Sequence, residues 1–299
     1  HIYSTYFAPR GRSRIYTLGM QIAQLYLSPF DQIIGFIGEA GSGKSVLIKG
    51  MFPGIELTND DDGVNVRPLP LLEQEYETGF FTPHTYHLDI RFETGFHQLS
   101  ELADAVRLAV RRGKRIIIEH FDLIYPLLGV NANLLIGVGE QIVITRPNLF
   151  GPLPQELCDI VYPSLAYRLM AHSAEDLCEY AMTQEQMLAC SHGDIRHGFV
   201  LEFNEHQPDI DIPTLEARVN ELIRQDLPID YYDESHILLG GAQHYCTGPR
   251  THVRSTGRII GFRLLDHFIY DHFHKTYMLV GCVGDDSEEN IRKLETIHG

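Results

Sequence analysis

Gly38-Glu39-Ala40-Gly41-Ser42-Gly43-Lys44-Ser45 fits the pattern G-x-x-x-x-G-K-[ST] at every fixed position. Before it, Gln32-Ile33-Ile34-Gly35-Phe36-Ile37 is a short apolar run that reads as a buried strand. After it, Val46-Leu47-Ile48-Lys49-Gly50-Met51-Phe52 reads as a helix that stops at Pro53-Gly54. Strand, glycine loop and helix in this order suit the cradling of phosphate. Glycines let backbone N–H groups curl around phosphate oxygens, and the helix N-terminus adds partial positive charge. Gly38, Gly41, Ser42 and Gly43 are the expected loop contacts to a nucleotide, ATP or ADP. Lys44 is expected to reach the β- and γ-phosphates, and the Ser45 hydroxyl to hold Mg²⁺.

The rest of the first half alternates strands and helices, which predicts an α/β domain with a parallel sheet over residues 1–150. Thr85 to Phe92 alternates polar and apolar residues as a strand does, and Leu99 to Val110 has helical spacing. Arg115-Ile116-Ile117-Ile118-Glu119-His120 is a strand ending in an acid and an imidazole, and Glu140 to Pro147 is a further strand. A carboxylate at the end of an apolar strand beside a phosphate loop orients Mg²⁺ or an attacking water. Glu119 is the first candidate for that role and Asp89 the second. His120 and Asp122 adjoin the same place.

Composition narrows the classes. The chain of 299 residues is long enough for two domains, and 44% hydrophobic with 21% charged residues is ordinary for a globular protein. A net charge of −16 opposes a generic nucleic-acid binder. The basic run Arg107, Arg111, Arg112, Lys114, Arg115 also reads as a solvated helix end. Five cysteines without a C-x-x-C pair suit a reducing, cytoplasmic setting. No signal peptide and no membrane partner are read.

The loop, Tyr86-His87-Leu88-Asp89 and Ile118-Glu119-His120 together resemble the small ATPase that assists bacterial tRNA threonylcarbamoylation. The resemblance implies that Asp89 and Glu119 serve metal and nucleotide. His120 stands where that family carries an aromatic. The loop followed by Asp60-Asp61 also resembles the bacterial phosphocarrier kinases, and Asp60-Asp61-Asp62 equally reads as an acidic turn.

Three prolines and a glycine between Pro147 and Pro154 mark a boundary, and residues 151–164 are expected as a linker. Beyond it, three segments in order resemble the editing (second additional) domain of alanyl-tRNA synthetase. They are Ala171-His172-Ser173-Ala174-Glu175-Asp176-Leu177, the strand-to-helix stretch 201–229, and Cys246-Thr247-Gly248-Pro249-Arg250-Thr251-His252-Val253-Arg254-Ser255-Thr256-Gly257-Arg258-Ile259. The resemblance covers roughly residues 165–283 and implies an α+β domain over 165–299. It also implies a zinc site of His172, Asp176, Cys246 and His252, and tRNA, aminoacyl-tRNA or an amino-acid-like ligand as partner. Asp176 stands at the family's second helix histidine, and carboxylate oxygen binds zinc. His236 and His244 are alternative ligands nearby. His272 and His274 are expected on one face of a strand.

These readings predict an Mg²⁺-dependent ATP-binding unit or ATPase joined to an editing-like domain. A kinase acting on a small molecule or protein, or a nucleotide-sensing module without turnover, are the alternatives.

Overall fold

The computed structural model describes residues 3–57 and 84–298. The chain divides into two units, one of His1–Ala8 with Arg12–Ser164 and one of Pro9–Gly11 with Leu165–Gly299. Asp60, Asp61 and Asp62 lie outside the described residues.

In the first unit the described elements are β1 (Tyr3–Phe7), α1 (Arg12–Tyr26), β2 (Ile33–Ile37), α2 (Lys44–Met51), β3 (Thr85–Asp89), α3 (Ile90–Glu93), α4 (Leu99–Arg111), β4 (Arg115–Glu119), α5 (Phe121–Leu128), β5 (Leu134–Val138), β6 (Gln141–Thr145) and the start of α6 (Pro154–Ala181). The strands form one sheet in the order β1-β6-β5-β2-β4-β3. β5, β2, β4 and β3 run parallel, whereas β6 is antiparallel to β5 and β1 antiparallel to β6. The fold is therefore α/β with a mixed sheet, which corrects the expectation of a parallel one. The reason is local. Only Gly139-Glu140 separates β5 from β6, and two residues reverse a chain but cannot carry it across a sheet.

Both faces of this sheet are covered, so its strands are apolar at successive positions rather than alternate ones. All five residues of β2 are buried. Ile34 and Phe36 pack with Ile15 and Ile22 of α1 and Leu47 and Ile48 of α2. Ile33 and Ile37 pack on the other face with Leu102 and Val106 of α4, Phe121 of α5, and Leu157 and Val161 of α6. Helices α1 and α2 cross at glycine: a Cβ on Gly50 would lie 2.2 Å from the Tyr16 carbonyl oxygen.

Residues 154–164, expected as part of a linker, open the 28-residue helix α6, with Pro154 at its first position. In the second unit this helix continues through residues 165–181. It is followed by α7 (Gln184–Ala189), β7 (Cys190–Ile195), β8 (Gly198–Asn204), α8 (Ile212–Arg224), β9 (Ile229–Asp233), β10 (His236–Leu239), β11 (Ala242–Tyr245), β12 (Arg263–Leu264), β13 (Ile269–Asp271), β14 (Thr276–Cys282) and α9 (Ser287–His298). β12-β14-β8-β7 form an antiparallel sheet with β13 also on β14, and β11-β10-β9 form a second. Ala174, Leu177 and Cys178 of α6 share a core with Leu201 of β8, Leu215 and Val219 of α8, and Leu279 of β14. His272 and His274 are not on a strand. β13 ends at Asp271, whose carboxylate accepts the N–H groups of Phe273 and His274 and so closes a turn there. Among the described residues no helix is long and apolar enough to cross a membrane.

Candidate functional site

In the first unit, the glycine loop leaves the end of β2 and opens α2. Gly41 and Gly43 have φ of 77° and 94°, a left-handed conformation that glycine adopts without a Cβ penalty. Lys44 is 1% exposed although it is a lysine at a helix start. Its ammonium donates to the Glu39 carbonyl at 2.7 Å and stands 3.8 Å from Glu119 Oε2. Sheet register puts that acid there: Glu119 pairs with Phe36 on β2 and with Asp89 on β3, so both expected carboxylates reach the same edge. Ligand atoms of Asp89, Glu119 and His120 lie within 4.8 Å of one another. Ser45 is buried at the start of α2 and Ser42 within the loop. Thus the structure brings together Lys44, Asp89, Glu119 and His120 as the sequence suggested. It adds His87, whose Nε2 donates to Glu119 Oε1 at 3.0 Å. Alternation along β3 puts His87 and Asp89 on one face, a signal the sequence carried.

The electrostatics follow from this packing. Burial alone would raise the Glu119 carboxyl, but the hydrogen bond and charge of His87, with Lys44 and His120, hold it below the ordinary value. Burial, with the charges of Lys44 and Arg91, lowers His120 to about 4, so its imidazole is neutral. His120 has φ of 57° at the N-cap of α5, and its Nδ1 is buried without a partner. Burial raises the Asp122 carboxyl, and Asp122 Oδ1 likewise has no partner. Exposed Arg91 reaches Glu39 at 3.4 Å on the loop's outer side.

In the second unit, ligand atoms of Asp176, Cys246 and His252 lie within 4.8 Å of one another, and His172 stands outside that trio. Val253 N–H donates to Ser173 Oγ at 3.0 Å, tying the Cys246–His252 loop to α6. Sequence reasoning missed the centre of the cluster. Arg10 is 1% exposed, and its Nη1 donates to Glu175 Oε2 at 2.5 Å. Its Nη2 donates to Asp176 Oδ1 and, at 2.9 Å, to Cys246 Sγ. No local pattern around Pro9-Arg10-Gly11 announces this role. Burial would raise Asp176, but Arg10 and His252 hold it well below the carboxylate range. Burial and Asp176 push the Cys246 thiol up to about 12, against Arg10 and the Gly248 N–H. Burial and the charges of Arg10 and Arg168 push His172 well below its ordinary value.

The expected zinc does not fit this arrangement. The donors Asp176, Cys246 and His252 have the right chemistry. However, a guanidinium already serves Asp176 and Cys246, and a doubly charged ion there would face Arg10 at contact range. The fourth expected ligand, His172, is not among the ligand atoms that come within 4.8 Å of one another there. Comparison with known protein-family models and with curated proteins gives no match.

Proposed function

We propose that the first unit binds ATP with Mg²⁺ at the loop Gly38–Ser45 and hydrolyses it, the terminal phosphoryl group passing to water and ADP leaving. The observation that carries this reading is Lys44: a buried ammonium at the mouth of a glycine loop, held by one carbonyl and lying 3.8 Å from the strand-end acid Glu119. A phosphate entering the loop meets backbone N–H groups and the α2 N-terminus, and offers Lys44 a stronger partner than the Glu39 carbonyl. Ser45, Asp89 and Glu119 are the residues to hold Mg²⁺, which when bound neutralises charge between the β- and γ-phosphates. His87 keeps Glu119 ionised and fixed in orientation. Lys44 then stabilises charge that develops on the departing phosphate oxygens.

One observation favours a second reading, a kinase. Asp122 offers a buried, unpartnered carboxylate oxygen, and its carboxyl is raised by burial. Such a group accepts a proton from an acceptor hydroxyl. For the second unit, the resemblance to the editing domain supports a binding role toward an amino-acid-like or aminoacyl ligand. The net charge of −16 weighs against broad attraction to tRNA.

The test is phosphate release from ATP by the full chain with and without Mg²⁺, beside Lys44→Ala. Mg²⁺-dependent release that Lys44→Ala abolishes supports hydrolysis. Consumption of ATP only after a hydroxyl acceptor is added supports the kinase. ATP consumption that Lys44→Ala leaves unchanged, or no consumption with or without an acceptor, refutes both.

A further inference from the structure

We propose that Glu179, Cys190 and His192 form a zinc-type divalent metal site in the second unit, separate from the Asp176–Cys246–His252 trio. The site needs nothing from the nucleotide reading. Its geometry follows from two periodicities. Glu179 lies on α6, three residues beyond Asp176, so the two carboxylates leave the helix on neighbouring faces. Cys190 and His192 are alternate residues of β7 and project to one side of it. β7 is the edge strand of its sheet, and this side meets the helix carboxylate. His192 Nε2 donates to Glu179 Oε1 at 2.7 Å, and Cys190 Sγ donates to the same oxygen at 3.4 Å. Ligand atoms of all three residues lie within 4.8 Å of one another.

An imidazole nitrogen, a thiol and a carboxylate are the donor types that zinc takes, three from the protein with a fourth place for water. Ligand atoms around a tetrahedral zinc stand about 3.4–3.6 Å apart. Opening the His192–Glu179 contact by less than about 1 Å therefore brings that pair to the separation that the Cys190–Glu179 pair already has.

Charge supplies the second argument. Glu175, Asp176 and Glu179 bring three carboxylates to this stretch of α6. The hydrogen bonds of Arg10 go to Glu175, Asp176, Cys246 and the His172 carbonyl, and none goes to Glu179. Beside Glu179 stands one further donor, His244, which is 7% exposed. Its Nε2 is buried without a partner, and a ring nitrogen of it lies within 4.8 Å of both the Glu179 and Asp176 carboxylates. An orphaned buried nitrogen beside two carboxylates is what an empty coordination sphere leaves behind. Arg10 fills the cation's place at the first trio, so the metal takes the neighbouring set. Cys190 and His192 are both partly exposed, which gives an ion its entry path. On binding, the metal–sulfur bond forms as the Cys190 thiol gives its proton to solvent. His192 Nε2 releases the proton it shared with Glu179, by loss to solvent or by tautomer shift to Nδ1, and binds through its lone pair as the neutral ring.

Cobalt(II) titration of the reduced full-length chain tests this. The expected result is one equivalent bound, with the near-ultraviolet charge-transfer band of a thiolate–cobalt bond. Cys190→Ser is expected to remove the band and His192→Gln to weaken binding at least tenfold, with circular dichroism unchanged in both. Cys246→Ser is expected to keep the band. No band in the unsubstituted protein, a band that survives Cys190→Ser, or one lost in Cys246→Ser overturns the assignment.

Discussion

Lys44 and Arg10 are the two most deeply buried cations of the described chain, each 1% exposed, and they are used in opposite ways. Lys44 is loosely held, with one carbonyl at 2.7 Å and one carboxylate at 3.8 Å. Arg10 is gripped through its Nη1 and Nη2 by two carboxylates, a thiol and a backbone carbonyl. A lysine is a mobile point charge that can change partners, whereas a guanidinium fork in a fixed set of acceptors is a structural tie. The same burial therefore leaves one cation with few partners and binds the other into a fixed set of acceptors.

The sharpest way to break this contrast is to remove each cation. Arg10→Ala leaves Glu175 and Asp176 without their counter-charge in the interior, and a cost of about 3–5 kcal/mol is expected. Hydrogen exchange should show it as lost protection in β8, α8 and β14, with β2 and β4 unaffected. Unchanged protection in those elements would mean that Arg10 is not a tie. Lys44→Ala should leave both units as protected as before and lower ATP turnover about 10²–10³-fold. Glu119→Gln retains the hydrogen bond to His87 and loses the charge. A fall in turnover of about 100-fold is expected, with a higher Mg²⁺ concentration needed for half activity.

The smallest effect concerns His120. Its folded value of about 4 lies below the ordinary imidazole value, so folding opposes its protonation. That contribution is present above about pH 6.5 and is lost as the pH falls toward 4. His120→Asn cannot titrate and tolerates the left-handed backbone. Between pH 7 and pH 4.5 it should lose about 1–2 kcal/mol less stability than the unsubstituted chain in urea denaturation. Equal losses would place His120 outside the influence of Lys44 and Arg91.

The first site was largely legible because its parts are local. Strand, loop and helix are contiguous, and Glu119 is found by following an apolar run to its first charge. The reversal of the sheet was legible too, in Gly139-Glu140 standing between two apolar runs, but β5 went unread and with it the hairpin. The second site was legible only in part. Spacing and resemblance led to Asp176, Cys246 and His252, which do meet, while Arg10 arrives from a segment with no pattern of its own. Cys190 and His192 offered the bare alternation of a strand, and only their pairing with a helix 11 residues away in the chain gives it meaning.

Arg10 also governs how this chain can be made and cut. Its partners Glu175 and Cys246 lie 165 and 236 residues further on. A fragment starting at residue 165 would keep the acids and lose the base, so a cut at the unit boundary does not yield an intact second half. During synthesis at about 5–20 residues per second, Arg10 leaves the ribosome roughly 10–50 s before Cys246. Through that interval the set of partners around Arg10 cannot be completed. A stretch between two elements of the first unit must wait, unengaged, until Glu175 and Asp176 emerge.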